Sequence, residues 1–399
     1  MTTLPIVKLA SGKEVSARHR HPWIFSGALA EKPADLANGA LVTVAAASGQ
    51  PLGVGTYSKH SSIAVRLLSF GEAVIDEAWL RGRLRRAAEV RALHGYAPGG
   101  ATSGYRLVFG EADGLPGLVV DRYEDVLVLQ ISTAGMDLLK PLIVNALAAE
   151  FQPRCIFERS DLAVRKEEQL PDVAGPLQGE DPGLVEFQEN GWRFLADVAH
   201  GQKTGYFLDQ KDLRLAVSSF AAGRKTLNLF SYTGAGSIAA LKGGAASVLN
   251  VDGSAAALEL CPRQAELNGL KTADISSETA DVFQYLATKT EPEFDMVLLD
   301  PPALIKSRKD AEEGKKAYHF LNRAALRLVR DGGILATSSC SHFLSEEDLL
   351  FVLRRASIQA GVELSVLASI RQSADHPRSV YFPENDYLKS FICLVRRTG

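Results

Sequence analysis

The chain has 399 residues, enough for two or three domains, and a hydrophobic share of 46% that suits full buried cores. No run approaches the roughly 20 apolar residues of a membrane span and the start lacks a basic-then-apolar leader, so a cytoplasmic protein with no membrane partner is expected. Net charge is −3, yet residues 1–110 hold 13 Lys/Arg against 7 Asp/Glu and the rest 31 against 40, which fits an anionic partner docking at the front.

The spacing predicts a small barrel-like β module over residues 1–72, with strands at Val7 to Leu9, Leu41 to Ala46, Pro51 to Tyr57 and Ile63 to Leu68. Between them, Arg18 to Gly27 interleaves basic residues with aromatics, a composition suited to phosphate contact and base stacking. Arg20, Trp23, Lys59 and Arg66 are the candidate RNA contacts; for Trp23 and Phe25, aromatics in a small barrel, a place in the core is the stronger expectation. A helix over Asp76 to His94 carries Arg81, Arg83, Arg85, Arg86 and Arg91, either a basic patch or a solvated face. Residues 73–197 read as a central α+β domain, with Lys166 to Asp181 as a loop.

Residues 198–399 change to strand alternating with helix. Short apolar runs at Lys225 to Phe230, Ser247 to Asp252, Asp295 to Asp300 and Gly333 to Ser338 read as buried parallel strands. Helices are expected at Leu213 to Phe220, Gly236 to Lys242, Ala255 to Asn268 and Lys315 to Val329. The pattern implies an α/β, Rossmann-like doubly wound sheet, which binds ligands at the carboxyl ends of its strands.

Phe230-Ser231-Tyr232-Thr233-Gly234-Ala235-Gly236 follows the first of these strands and opens a helix, where glycines admit a close ligand. Alone, it resembles a dinucleotide fingerprint as well. Acids downstream decide more. Asp252, followed by Gly253 and Ser254, ends the second strand and can accept a ribose diol. Asp281, before Val282, can accept an adenine amine, and Asp300 ends the fourth strand before Pro301-Pro302. The three in order favour S-adenosyl-L-methionine over a nicotinamide cofactor, although each alone can simply cap a helix.

The four cysteines, Cys155, Cys261, Cys340 and Cys393, show no metal or disulfide spacing. Cys340, in Ser339-Cys340-Ser341-His342, falls at the end of the fifth strand, on the lip of the expected crevice. A thiolate there can add to carbon 6 of cytosine and make carbon 5 nucleophilic toward a methyl sulfonium. Neighbouring amides or a cation should favour the thiolate, and Asp300 can steady the cytosine amine or protonate its ring nitrogen. His342 is a candidate base or an incidental loop residue.

Assembled, the chain resembles the 23S ribosomal RNA cytosine-5 methyltransferases that carry an N-terminal PUA domain. The resemblance rests on Arg20 to Gly27, Gly110 to Asp121, Gly201 to Gln210, Asn228 to Gly234, Asp300-Pro301-Pro302, Ser339-Cys340-Ser341 and Ala374-Asp375-His376-Pro377. It implies a PUA domain, a central α+β domain and a class I methyltransferase domain, with Cys340 as nucleophile. It implies that Lys203 to Gln210 lies beside the cofactor, with Phe207 and Gln210 chosen for contact. Ribosomal RNA, as naked RNA or a large-subunit precursor, is the expected partner, and a homodimer is compatible. A related branch methylates guanine N7 and lacks the front module; methylation of another base with Cys340 structural, a nucleotide-cofactor oxidoreductase and a catalytically silent RNA binder are the competing readings. One departure stands out. Many RNA cytosine-5 methyltransferases carry a second cysteine beside Asp-Pro for product release; here Pro302-Ala303 occupies that place.

Overall fold

The computed structural model describes residues 4–398. They divide into two compact units, the first made of residues 4–191, 196–208 and 374–385, the second of 192–195, 209–373 and 386–398.

The first unit opens with β1 (Ile6–Lys8), α1 (Val15–Arg18), β2 (Trp23–Phe25), β3 (Leu41–Ala45), β4 (Pro51–Tyr57) and β5 (Ile63–Ser69). These strands run in the order β1-β3-β4-β5-β2, with β1 parallel to β3 and the other pairs antiparallel. Past the ends of β1 and β2 the two edges meet: Leu9 bridges Leu29, and the Ala10 and Ala30 amides donate to the Ala28 and Lys8 carbonyls at 2.9 Å each. Closure removes exposed strand edges and encloses Val7, Leu9, Ile24, Val42, Val44, Val65 and Leu67.

Next come α2 (Glu77–Ala92), β6 (Gly104–Phe109), β7 (Leu118–Tyr123), β8 (Val126–Ile131), α3 (Ala134–Phe151), β9 (Cys155–Ser160), β10 (Val173–Gln178) and β11 (Leu184–Glu189). Strands β10-β9-β8-β7-β6 form a second sheet whose core includes Leu107, Val120, Leu129, Ile143 and Ile156. The expected loop at 166–181 therefore contains a strand. Being at the sheet edge, β10 tolerates Gly175 and Pro176, and its register slips between Pro176 and Gln178.

The arginines of α2 are largely committed within the unit. Arg81 and Arg85 pair with Glu150, Arg83 donates to the Leu68 carbonyl, and Arg91 makes a buried two-armed contact with Asp113. Arg91 also donates to the Asp375 carbonyl at 2.8 Å, and the Asp375 carboxylate accepts the Arg106 amide at 2.8 Å. Two of the quoted motifs, around Asp113 and Asp375, thus buckle residues 374–385 onto this unit.

The second unit holds a seven-stranded sheet. After β12 (Trp192–Asp197), whose last two residues count with the first unit, come α4 (Lys211–Ser219), β13 (Lys225–Leu229), α5 (Ala235–Lys242), β14 (Ser247–Asp252), α6 (Ala255–Leu258), α7 (Leu260–Leu267), β15 (Ile275–Thr279) and α8 (Val282–Thr288). Then follow β16 (Phe294–Leu299), α9 (Ala311–Leu328), β17 (Val329–Ser339), α10 (Glu346–Ala360), β18 (Val362–Ile370) and β19 (Lys389–Arg397). The order is β15-β14-β13-β16-β17-β19-β18, parallel except where β19 joins β17 and β18. One face packs Leu227, Leu229, Val297 and Leu335 with Tyr318, Leu321, Leu349 and Val352 of α9 and α10. The other packs Val248, Met296, Leu298 and Ile334 with Leu213, Val217 and Ala239 of α4 and α5. The helix expected over 255–268 is broken into α6 and α7. Pro262, which lacks an amide hydrogen, falls in the first turn of the second piece.

Candidate active site

The register of the parallel strands aligns the candidate residues. Leu229 stands beside Val251 and Leu299, and Leu299 beside Thr337. One residue further along each strand lie Phe230, Asp252, Asp300 and Ser338, at one level of the carboxyl end. Neighbouring strands are about 4.8 Å apart, so the ends of β13 and β17, with β16 between, are separated by about 10 Å.

The loop after β13 is held in an uncommon conformation. Phe230, Tyr232 and Gly234 have φ of 58°, 49° and 81°, which non-glycine residues adopt only when their surroundings enforce it. Several bonds do so. The Tyr232 amide donates to Asp252 Oδ2 at 2.8 Å, the Gly234 amide to the Ser231 carbonyl at 2.9 Å, and Gln264 Nε2 to the Thr233 carbonyl at 2.6 Å. Gly234 also leaves no room: a Cβ there would stand 2.8 Å from Cys261 Sγ. Gly236 lies against the sheet, where a Cβ would meet Leu298 Cδ1 at 3.2 Å. Beneath it, buried Asn228 donates to Ser237 Oγ at 2.9 Å, tying α5 to β13.

Asp252 Oδ1 accepts the Ser254 amide at 2.8 Å, so both carboxylate oxygens are oriented by backbone and each keeps a second acceptor site. Asp281 is exposed and lies two residues beyond β15 rather than on it. Its Oδ1 caps α8 through the Gln284 amide at 2.9 Å, just before the buried Val282. Asp300 Oδ2 accepts from Gln210 Nε2 at 2.6 Å. Phe207 lies in the first unit, with Lys203 Nζ 4.3 Å from its ring centre. The loop residues suit S-adenosylmethionine. The buried hydroxyls of Ser231 and Thr233 have no hydrogen-bond partner among the described residues, and a Cβ at Gly253 would meet nothing within 4 Å.

Burial separates the cysteines. Cys155, Cys261 and Cys393 are buried, and burial pushes the thiols of Cys261 and Cys393 up to about 12. Cys340 is half-buried, one residue past β17. Its flanking serines are pinned. Ser339 Oγ and Ser341 Oγ each lie 2.9 Å from the buried Tyr318 hydroxyl, and the Ser341 amide donates to Ser339 Oγ at 3.2 Å. Ser341 Oγ accepts the Ile305 amide, and Lys389 Nζ donates to the Ser341 carbonyl at 2.8 Å. Sequence reading missed Tyr318, Gln264 and Lys389. The serines beside Cys340 were the only local hint, while the others reach the site from distant elements.

The candidate RNA contacts differ among themselves. Arg20 and Lys59 are exposed. Arg66 is buried and pairs with buried Glu168 at 2.8 Å, and half-buried Trp23 donates to Glu111 at 2.8 Å and packs on Phe382.

Among the described residues, no cluster of metal-ligating side chains is present and no helix is long and apolar enough to cross a membrane. Residues 7–70 match the PUA-like domain family and residues 157–355 the S-adenosylmethionine-dependent methyltransferase family. The chain is 38% identical over 392 residues to ribosomal RNA large subunit methyltransferase I of Serratia proteamaculans, covering 97% of this chain and 98% of that one. The protein of the same name from Yersinia pestis is 38% identical over 391 residues, again covering 97% and 98%. A solved structure from Streptococcus mutans, assigned as a SAM-dependent methyltransferase, shares the fold: TM-score 0.82, 23% identity, 98% of this chain and 100% of that one. The chain belongs to the ribosomal RNA large subunit methyltransferase I family of S-adenosylmethionine-dependent enzymes.

Proposed function

We propose that the protein methylates carbon 5 of a cytosine in 23S ribosomal RNA through a covalent adduct on Cys340. The observation that carries this reading is the placement of the one half-buried cysteine just past β17, two strands from the glycine loop. Bound S-adenosylmethionine supplies an electrophilic methyl. Asp252 would take the ribose diol, Asp281 the adenine amine, and Phe230, Ser231, Gly234 and Gly236 would form the wall, with Gln210 at its margin.

Cys340 thiolate adds to carbon 6, forming an S–C bond and raising electron density at carbon 5, which takes the methyl as its bond to the sulfonium sulfur breaks and S-adenosylhomocysteine leaves. A base then removes the carbon 5 proton, and the released pair expels the thiolate. Asp300, oriented by Gln210, steadies the cytosine amine or protonates the ring nitrogen. The target base must leave its stack to reach this depth. Arg20 and Lys59 on the PUA-like module are the exposed candidates for holding the RNA backbone. The reading places the protein in the cytoplasm, where bacterial ribosomal RNA is made.

Mass spectrometry of ribosomal nucleosides with and without the gene tests the product, and Cys340→Ala tests the adduct. Loss of one 5-methylcytidine in both cases supports the reading. Loss of 7-methylguanosine instead, or normal methylation by Cys340→Ala, overturns it.

A further inference from the structure

Lys389 opens β19, opposite Ser339 in the antiparallel register with β17. It is 4% exposed. Taking an ammonium out of water is costly unless an anion answers it. Among the described residues no carboxylate pairs with Lys389, and its hydrogen bond goes to a carbonyl, that of Ser341, at 2.8 Å. The nearby acids are otherwise engaged: Glu346 and Asp386 both pair with Arg371. A buried cation held against a backbone oxygen, at the residue following the candidate nucleophile, is a poor device for stability alone.

Resting on the reading of Cys340 as nucleophile, we propose that Lys389 is its positioning residue. The ammonium holds the loop after β17 through the Ser341 carbonyl and supplies the positive charge that favours the Cys340 thiolate. The charged groups around it come from every element packed there: Asp386 before β19, Arg371 after β18, Glu346 at the start of α10, Cys340 after β17. Tyr318 of α9 also senses Cys340, and burial raises its hydroxyl so that it stays neutral. Burial lowers Lys389 to about 8, while Asp386 and Cys340 pull it back up. The attraction is reciprocal: an anion that favours the ammonium is itself favoured by it. Near neutral pH Lys389 is mostly charged, and the thiolate gains where it is needed.

The test is the pH dependence of Cys340 alkylation by iodoacetamide in the full chain, followed by peptide mass spectrometry, with no RNA or cofactor present. The wild-type midpoint should lie below the ordinary thiol value of about 8.5. Lys389→Met should alkylate about tenfold more slowly at pH 7, one unit of midpoint, and Lys389→Arg should recover most of the rate. Lys389→Gln keeps a donor for the Ser341 carbonyl without charge, so it should behave like Lys389→Met. Retained S-adenosylhomocysteine binding identifies the folded variants. An unchanged midpoint in Lys389→Gln or Lys389→Met overturns the proposal, whatever the RNA product. If instead Cys340→Ala still methylates cytosine, the reading of the nucleophile fails and this proposal with it, even where the midpoint moves.

Discussion

Ser341 Oγ accepts the Ile305 amide at 3.2 Å. This bond joins the loop after Cys340 to Ile305, three residues past Asp300-Pro301-Pro302, so one side chain ties together the loops that carry the proposed nucleophile and the proposed acid. Ser341→Ala leaves a buried amide without its acceptor and removes one partner of the Tyr318 hydroxyl. The expected stability loss is about 1–3 kcal/mol. Because both loops would serve the proposed transfer step, kcat should fall about tenfold or more while S-adenosylhomocysteine affinity stays within about twofold, the pattern of an interaction needed in the transition state. Single-turnover kinetics beside calorimetry check this; equal losses in both would show a general collapse instead.

Asp252 does two jobs at once. Its carboxylate orders the Tyr232 and Ser254 amides and presents its remaining lone pairs to the proposed diol. Asp252→Asn keeps shape but replaces one acceptor oxygen by a donor, facing an amide with an amide. Hydrogen bonds to a charged group are worth about 1.5–3 kcal/mol, so S-adenosylhomocysteine should bind about 10- to 100-fold more weakly. Calorimetry reads this directly, and undiminished binding would remove Asp252 from the cofactor site.

Gly234 meets two constraints, a φ of 81° and a Cβ position 2.8 Å from Cys261 Sγ. Gly234→Ala should therefore cost about 2–3 kcal/mol, combining backbone strain with a clash in a packed interior. Adding Cys261→Ala removes the sulfur but not the backbone term. The double variant should be more stable than the sum of the two single losses predicts, a coupling expected for residues in contact. Additive losses in urea denaturation would place the whole cost in the backbone.

Much of the sheet was legible because buried parallel strands appear as short apolar runs, and Leu227, Val251, Val297 and Leu335 lie within those runs. The glycine loop was legible for the same reason, since it follows such a run and precedes a helix. The edge strand β10 was not. β10 carries Gly and Pro, which signal a turn in isolation, and only pairing with β9 makes that segment extended. The Cys340 surroundings were half legible. Ser339 and Ser341 sit beside it in sequence, but Tyr318 and Lys389 arrive by tertiary folding, and a lone lysine before an apolar strand resembles any surface lysine. Arg66 was half legible too: its place in a basic front module suggested RNA, but its partner Glu168, distant in sequence, arrives only by folding.

The depressed Lys389 has a signature in stability. Its folded value of about 8 lies below its ordinary 10.5. Below pH 8 both folded and unfolded chains carry the proton and the cost of the buried charge is fully present. Between about 8 and 10.5 the unfolded chain binds more protons, so this group makes stability rise with pH, by at most about 1.4 kcal/mol per unit. Lys389→Met should lack that rise. Urea midpoints of both proteins from pH 7 to 10 make the comparison; parallel curves would mean that Lys389 titrates normally.

Lys59 and Arg66, both offered by the sequence as RNA contacts, should respond in opposite ways. Lys59 is exposed, and among the described residues only its backbone amide is engaged, by Asn38 at 2.9 Å. If its ammonium meets a phosphate, Lys59→Ala weakens RNA binding at low salt, flattens the logarithmic salt dependence by about one counterion and leaves folding unaffected. Arg66 faces Glu168 at 2.8 Å with both side chains buried. Arg66→Ala strands that carboxylate, a change that costs about 3–5 kcal/mol when a buried pair is broken. Its RNA affinity should fall only as far as the folded fraction falls, and the salt slope of the folded protein should not change. Arg66→Met with Glu168→Leu, which removes both charges together, should recover stability. If that double variant folds well yet loses RNA affinity with a flatter salt slope, Arg66 contacts phosphate after all, and the ion pair must open when RNA binds.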